Sequence, residues 1–364
     1  MKLQVTQENL NKALTSVARV ASSRSTLPIL ANILIKTINN RLSISATNLD
    51  IAITHFIGSK ISSEGAVTIP ARLTQDFINS VPPGVIELEL DNNKLHITTE
   101  QYNSVINGIA ADEFPVMPAI KGGETWKLPA ADLKKALQQV IFAASSDSAR
   151  PVLTGLYFHS VDKILYLAAT DSYRLAETKL APAKKEISLL IPASALHDLL
   201  RVLTDIEDDV QITHDDQQVL FQAGDIELVA RLIEGNYPDY RKLIPKKFST
   251  TATMAREEFL NITKVSSLFA RETAGSITLK VDEATQSVNI HSVASQLGEN
   301  TASATAEITG SGSITLNSRY LLDGLHAFDG EQISFCFNGK LEPSLLKDPA
   351  DSNYLHIIMP LKSW

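Results

Sequence analysis

A single cysteine, Cys336, excludes an internal disulfide framework and fits a reducing compartment. Glycine and proline are scarce, 16 and 15 in 364 residues, which rules out collagenous and Pro/Gly-rich disordered chains. No apolar stretch approaches the ~20 residues that cross a bilayer. The opening residues, Met1 to Leu14, lack the apolar core of a secretion signal, so a cytoplasmic protein without membrane contact is expected. A net charge of −8, from 33 Lys and Arg against 41 Asp and Glu, argues against a protein that simply coats nucleic acid.

Catalytic signatures are missing as well. The eight histidines form no H-x-x-x-H pair and have no cysteine partners at zinc spacing. There is no G-x-x-x-x-G-K-[ST] phosphate loop, no strand-to-helix G-x-G-x-x-G and no G-x-S-x-G elbow. Gly310, Ser311, Gly312 and Ser313 precede a strand and read as a turn. The acidic run Asp205, Glu207, Asp208 and Asp209 lacks the glycine and spaced ligands of a calcium loop and reads as a solvated tip. Asp171, Ser172 and Arg174 lie together, yet no histidine is near them in sequence. No metal, no cofactor and no catalytic residue are expected.

What the chain does have is a threefold internal repeat. Lys2 to Val5 alternates like a strand and leads into a helical face of Leu10, Ala13 and Leu14. The phrase returns at Trp126 to Leu137 and at Thr253 to Leu260, with Val5, Leu128 and Met254 spaced 123 and 126 residues apart. Leu42 to Thr47 matches Leu165 to Thr170 and Val288 to Ser292. Ile69, Ile191 and Leu316 are each followed seven residues later by an aspartate: Asp76, Asp198 and Asp323. Pro28 to Leu30 matches Pro151 to Leu153, and Phe114-Pro115 matches Tyr237-Pro238. A period this long is that of a whole domain, not a solenoid unit. The expected domains are residues 1–122, 123–247 and 248–364.

Each copy reads strand, helix, alternating strands, second helix, further strands, with short turns such as Asp91 to Asn93 between neighbours. That pattern predicts an α+β fold of mostly antiparallel sheets with helices on one face. The expected helices are about residues 7–20, 71–81, 131–144, 193–203, 255–268 and 317–328. They carry nine basic and seven acidic residues, so the rest of the chain is the more acidic part. Ordinary solvated helix faces and a helical surface turned toward a polyanion both accommodate that balance.

Thr26 to Leu30, Ala169-Thr170-Asp171 with Arg174-Leu175-Ala176, Tyr237 to Arg241, and Ile358 to Leu361 fall each in its own place and order. In these motifs, and over essentially its whole length, the chain resembles the β subunit of bacterial DNA polymerase III, the sliding-clamp family. The resemblance implies three clamp domains per chain and a head-to-tail homodimer with six around a ring, helices lining the hole and sheets forming the rim. It implies a bacterial, non-catalytic processivity factor that encircles double-stranded DNA without sequence preference. Through short linear peptides it would tether the replicative polymerase subunit, the clamp loader and repair polymerases.

Carried over residue by residue, the resemblance places Arg24 and Arg150 in DNA-near loops, and charge adds Arg72, Lys134, Lys135 and Arg201. A partner-peptide groove between the second and third domains falls on Leu153, Thr170, Leu175, Pro238 and Leu243. Ile357, Met359, Pro360 and Leu361 complete it, with Ser172, Tyr173, Arg174 and Lys242 at its edge. Such a groove would take leucine or phenylalanine anchors. Departures from the family pattern are Ser172, where glycine is common, Lys242 for a frequent arginine, and the ending Lys362-Ser363-Trp364. The dimer is expected to join a strand around Tyr102 and Ile106 to the segment of Leu268 and Phe269, just past a helix. Two other readings stand beside this one. An enzyme using Asp171, Ser172 or the acidic run lacks the motif set, and a scaffold without DNA contact would not be retained on circular duplex. Three copies per chain disfavour the two-domain, three-subunit type of clamp.

Overall fold

Helices begin where the sequence caps them. The Thr6 side chain accepts a hydrogen bond from the Asn9 N–H at 3.4 Å and starts Gln7–Val17 (α1). Pro70, Pro129 and Pro192 end strands and immediately precede Ala71–Ser80 (α2), Ala130–Val140 (α3) and Ala193–Val202 (α4). Asn317 Oδ1 accepts from the Arg319 N–H at 2.9 Å ahead of Ser318–His326 (α6), and Arg256–Phe269 (α5) opens the third copy. The third helix stops short of the expected residue 144 because its final turn tightens into the 3-10 helix Ile141–Ala143. The first stops at Val17, not at residue 20. The computed structural model describes residues 1–21, 27–115, 120, 122–296 and 298–362. No helix among them is long and apolar enough to cross a membrane.

Every strand pairing among the described residues is antiparallel, in four sheets. The fold is thus α+β, with the helices' apolar stripes buried against sheet residues such as Ile44, Ile53, Leu167 and Phe335. Packing divides the chain into two units: Met1–Ala131 with Ser194–Leu232, and Asp132–Ala193 with Ile233–Trp364.

Each repeat contributes a three-strand meander and a final strand. In the first unit, the third meander strand of copy one, Ile51–Ile57, pairs with the final strand of copy two, Ile226–Arg231, Ile53 facing Leu228. In the second unit, the third meander strand of copy two, Arg174–Pro182, pairs with the final strand of copy three, Tyr354–Ile358, Leu175 facing Ile357. The corresponding strands left over are Asn103–Asn107, the final strand of copy one, and Gly298–Thr305, the third meander strand of copy three. Both lie at sheet margins.

Within the second unit, α6 approaches the seam through a glycine. A Cβ on Gly324 would stand 2.4 Å from Cδ2 of the fully buried His356. Ordinary helix propensity favours alanine over glycine by about 1 kcal/mol, but overpacking a rigid neighbour costs about 1–3 kcal/mol. Gly324→Ala is expected to lower the urea midpoint at unchanged m-value; a raised midpoint would show that His356 yields at little cost.

Candidate functional site

The seam between Arg174–Pro182 and Tyr354–Ile358 builds the site. Leu175 and Ile357 face one another across the ladder and join a buried cluster with Ala168, Tyr240, Cys336 and Leu345. Tyr157, Tyr237 and Ile244 pack against it. Beyond the ladder the chain stays pinned: the Met359 N–H donates to the Tyr173 carbonyl at 2.8 Å, and the Leu361 N–H to the Thr315 carbonyl at 2.8 Å. Leu153 is buried, while Thr170, Met359, Pro360 and Leu361 are half-buried. Pro238 is exposed, and Tyr173 and Leu243 are 59% and 61% exposed. Apolar side chains this open, above an apolar floor, form a surface that costs free energy until something covers it.

The turn at Asp171 is held by charge. Asp171 Oδ1 accepts from the N–H groups of Tyr173 and Arg174, both at 2.9 Å. Arg174, expected at the groove edge, is instead 9% exposed. Its Nε donates to Asp171 Oδ2 at 3.0 Å, Nη1 to Asp323 Oδ2 at 2.6 Å, and Nη2 to the Phe142 carbonyl at 2.6 Å. Its guanidinium lies 4.5 Å from the centroid of Tyr320 and 5.3 Å from that of Phe142. With every face occupied it is a structural tie between the Asp171 turn and α6, because a guanidinium is buried only when its donors are matched.

Ser172, in the same turn, has φ 78°, a left-handed conformation that glycine adopts without strain. That accounts for the glycine common at this place in the family pattern. Its Oγ accepts from Arg150 Nη1 at 2.9 Å, which sets Arg150 beside the groove turn, with Asp147 3.9 Å from its Nε.

A second buried network fixes Tyr237 to Leu243; the motif Tyr237 to Arg241 marked the segment, but its partners Glu177 and His159 were not foreseen. The Tyr240 hydroxyl donates to Glu177 Oε2, so the His159 contact at 2.6 Å must run from Nε2–H to the tyrosine oxygen. Arg241 Nε donates to the same carboxylate oxygen at 3.0 Å and its guanidinium stacks 4.0 Å from the Tyr166 centroid. Burial, with the Tyr240 site's Glu177 charge added, pushes the Tyr240 phenol up. Burial first, and the Arg241 charge second, push His159 down to about 4. These clamps present Pro238 and Leu243 outward from a fixed backbone.

The expected cations belong to both packing units, Arg72 and Arg201 to the first and Lys134, Lys135 and Arg150 to the second. Arg24 lies outside the described residues, as do Thr26 and Trp364. Arg72 is exposed on α2 and Lys134 is half-buried on α3. Lys135 pairs with Asp329 at 2.7 Å and Arg201 with Asp198 at 2.7 Å. Lys242 pairs with Asp239 at 2.7 Å at the exposed rim.

Residues expected at the dimer contact sit differently from the sequence reading. Ile106, in the alternating strand Asn103–Asn107, points inward and is 6% exposed; Val105 is the outward residue, with Tyr102 exposed beside the strand. Leu268 and Phe269 lie within the last turn of α5, not past it, Leu268 at 50% exposed and Phe269 half-buried. A helical segment has no free ladder groups; the margins of the sheet in the third copy are Gly298–Thr305 and Gly312–Asn317. Among the described residues no group of three or more His, Cys, Asp or Glu is placed to hold a metal ion.

Comparison with known proteins agrees along the whole chain. The family models for the DNA polymerase III beta subunit match in order: the N-terminal domain at residues 1–118, the central domain at 127–239 and the C-terminal domain at 241–362. The chain is 30% identical to the beta sliding clamp of Bacillus subtilis, covering 100% of both, and 32% identical to that of Synechocystis sp., covering 100% of this chain and 99% of the other. The crystal structure of the Bacillus subtilis DNA polymerase sliding clamp superposes with a TM-score of 0.95 at 30% identity over 100% of both chains. A DnaN sliding clamp from Bartonella birtlesii bound to griselimycin superposes at 0.94 with 27% identity, again over 100% of both.

The buried histidines set a pH dependence. Burial is the first cause that lowers His159 and His55 to about 4 and His356 to about 3. The folded protein keeps them neutral, whereas the unfolded chain takes up protons below about pH 6.5. Stability is therefore complete above that pH and falls as pH drops toward 4, by up to about 1.4 kcal/mol per unit for each histidine. Urea midpoints are expected to be lower at pH 5 than at pH 7, with a shallower slope in His159→Gln; an unchanged slope in that variant would mean that His159 already protonates in the fold.

Proposed function

We propose, for a chain that belongs to the bacterial DNA polymerase III beta subunit family, a closed head-to-tail dimer with a groove that tethers partner peptides. The chain is a DNA sliding clamp, a non-catalytic processivity factor of three clamp domains. On our reading the domains are residues 1–122, 123–247 and 248–364, and six of them close around duplex DNA in the bacterial cytoplasm.

The observation that carries this reading is the pattern of seams. Within the chain, a third meander strand twice pairs with the final strand of the next copy. The same rule applied to the margins left over joins Asn103–Asn107 of one subunit to Gly298–Thr305 of another, four strands meeting five. The contact is heterologous and closes because it repeats a geometry used twice already. Leu268 on α5 and Val105 on the first margin supply exposed apolar surface there.

A ring holds duplex by topology, so individual phosphate contacts can be weak and a net charge of −8 is no obstacle. Arg24, Arg72, Lys134, Lys135, Arg150 and Arg201 are our candidates for cations near the DNA. Ion pairing at Lys135 and Arg201 weakens any single contact, which suits movement along the duplex. The groove over Leu175 and Ile357 takes an apolar anchor of a short peptide from a polymerase, the clamp loader or a repair polymerase. Met359 suits a surface that accommodates several partners. Tyr173, Pro238 and Leu243 close on the anchor, and Lys242 stands at the rim.

Placed by a clamp loader on nicked circular duplex, the protein should co-elute with the DNA and be released when the circle is cut; retention on the linear product would contradict encirclement. Sedimentation of Leu268→Glu with Val105→Asp should give monomers, and persisting dimers would refute the edge pairing. Truncation after Ile358 should abolish binding of a labelled clamp-binding peptide and leave the dimer intact; undiminished binding would move the groove elsewhere.

A further inference from the structure

The first unit contains a cavity of about 430 Å³, to which Arg201, one of the candidate DNA-facing cations, contributes. One wall is the stripe Lys12, Thr15, Ser16 and Arg19 at helical spacing, from α1 and the turn after it; another is Asp198, Arg201 and Val202 of α4. Ile206 and Ile226 add apolar surface, and His55 lines it from the strand Ile51–Ile57. Both carboxylates in the wall are already matched: Asp198 by Arg201 at 2.7 Å, Asp225 by Arg41 at 2.8 Å. Arg19 makes no ion pair among the described residues.

The hydrogen-bond arrangement around His55 is directional. Ser16 Oγ gives its proton to the Ala13 carbonyl at 2.8 Å. Its contact with His55 Nδ1, also 2.8 Å, therefore has the imidazole as donor. Nε2 is left as a bare acceptor, without a protein partner among the described residues, on a side chain 6% exposed. Burial keeps the ring neutral. A ligand completing this cavity must offer an anion to guanidinium groups, an N–H or O–H to His55, and a flat or apolar body to Ile206 and Ile226.

We propose that this cavity binds a mononucleotide, its phosphate toward Arg19 and Arg201 and a base N–H or sugar O–H toward His55 Nε2. The volume lies within the roughly 300–1,000 Å³ of ordinary ligand sites. None of the lining residues belongs to Asn103–Asn107, to Gly298–Thr305 or to the peptide groove. The phosphate could belong to a free nucleotide or to the 5′ end of a strand, and the two are separable.

Titration calorimetry of the full-length protein with dAMP, deoxyadenosine and inorganic phosphate tests it. dAMP is expected to bind, the other two at least about tenfold more weakly, and Arg19→Gln and His55→Phe each to weaken dAMP by about tenfold. Arg19 is exposed, so its variant remains informative if His55→Phe fails to fold. Competition by a 5′-phosphorylated oligonucleotide, but not by its unphosphorylated form, would support the site and assign it to strand ends; no competition would support it as a free-nucleotide site. No heat with millimolar dAMP, phosphate binding as tightly as dAMP, or affinity unmoved by Arg19→Gln would overturn the proposal.

Discussion

A strand at the margin of a sheet leaves a row of N–H and C=O groups unmatched, and the way this chain disposes of its margins governs the rest of its architecture. Twice the solution is the same: the third meander strand of one copy accepts the final strand of the next. Each junction also sets apolar side chains against one another, Ile53 against Leu228 and Leu175 against Ile357. Repeats joined this way make continuous sheets of eight and nine strands. The hole, the rim and the groove are consequences of that one joint in the function proposed.

The groove adds a second requirement, that open apolar residues be presented from a backbone that does not collapse around them. Two buried charge networks meet it. Arg174 ties the Asp171 turn to Asp323 of α6, and Glu177 gathers Tyr240 and Arg241 under Pro238 and Leu243. Removing one partner of such a network leaves the other charge buried and unmatched, which costs about 3–5 kcal/mol, far more than an exposed pair. The rim pair Lys242–Asp239 is of the second kind and is free to exchange its partner.

Much of this was legible in the sequence because it is local or repeated. Helix faces follow from spacing within a few residues, and the triplication from matches such as Leu42 to Thr47 with Leu165 to Thr170. Leu175 and Ile357 entered through a resemblance, and their pairing is now a register of one ladder. What stayed hidden depends on distant partners. Arg174 meets Asp323 from 149 positions away, and Tyr240 meets Glu177 from 63, so the bracing role of Asp171 and Arg174 was not legible from their neighbours in sequence. That Ile106 faces inward and Val105 outward was not legible either: alternation says that neighbours point oppositely, but the phase is set by which face meets the core, and that is tertiary.

The uniformity of the joints has an evolutionary corollary. A backbone break placed between two copies, or a peptide link added between two chains, would leave each ladder as it stands. In the ring proposed, how many copies one gene encodes would then matter less than that every joint between copies has the same form. On that reading a ring could be cut into polypeptides at any seam without a new kind of contact surface.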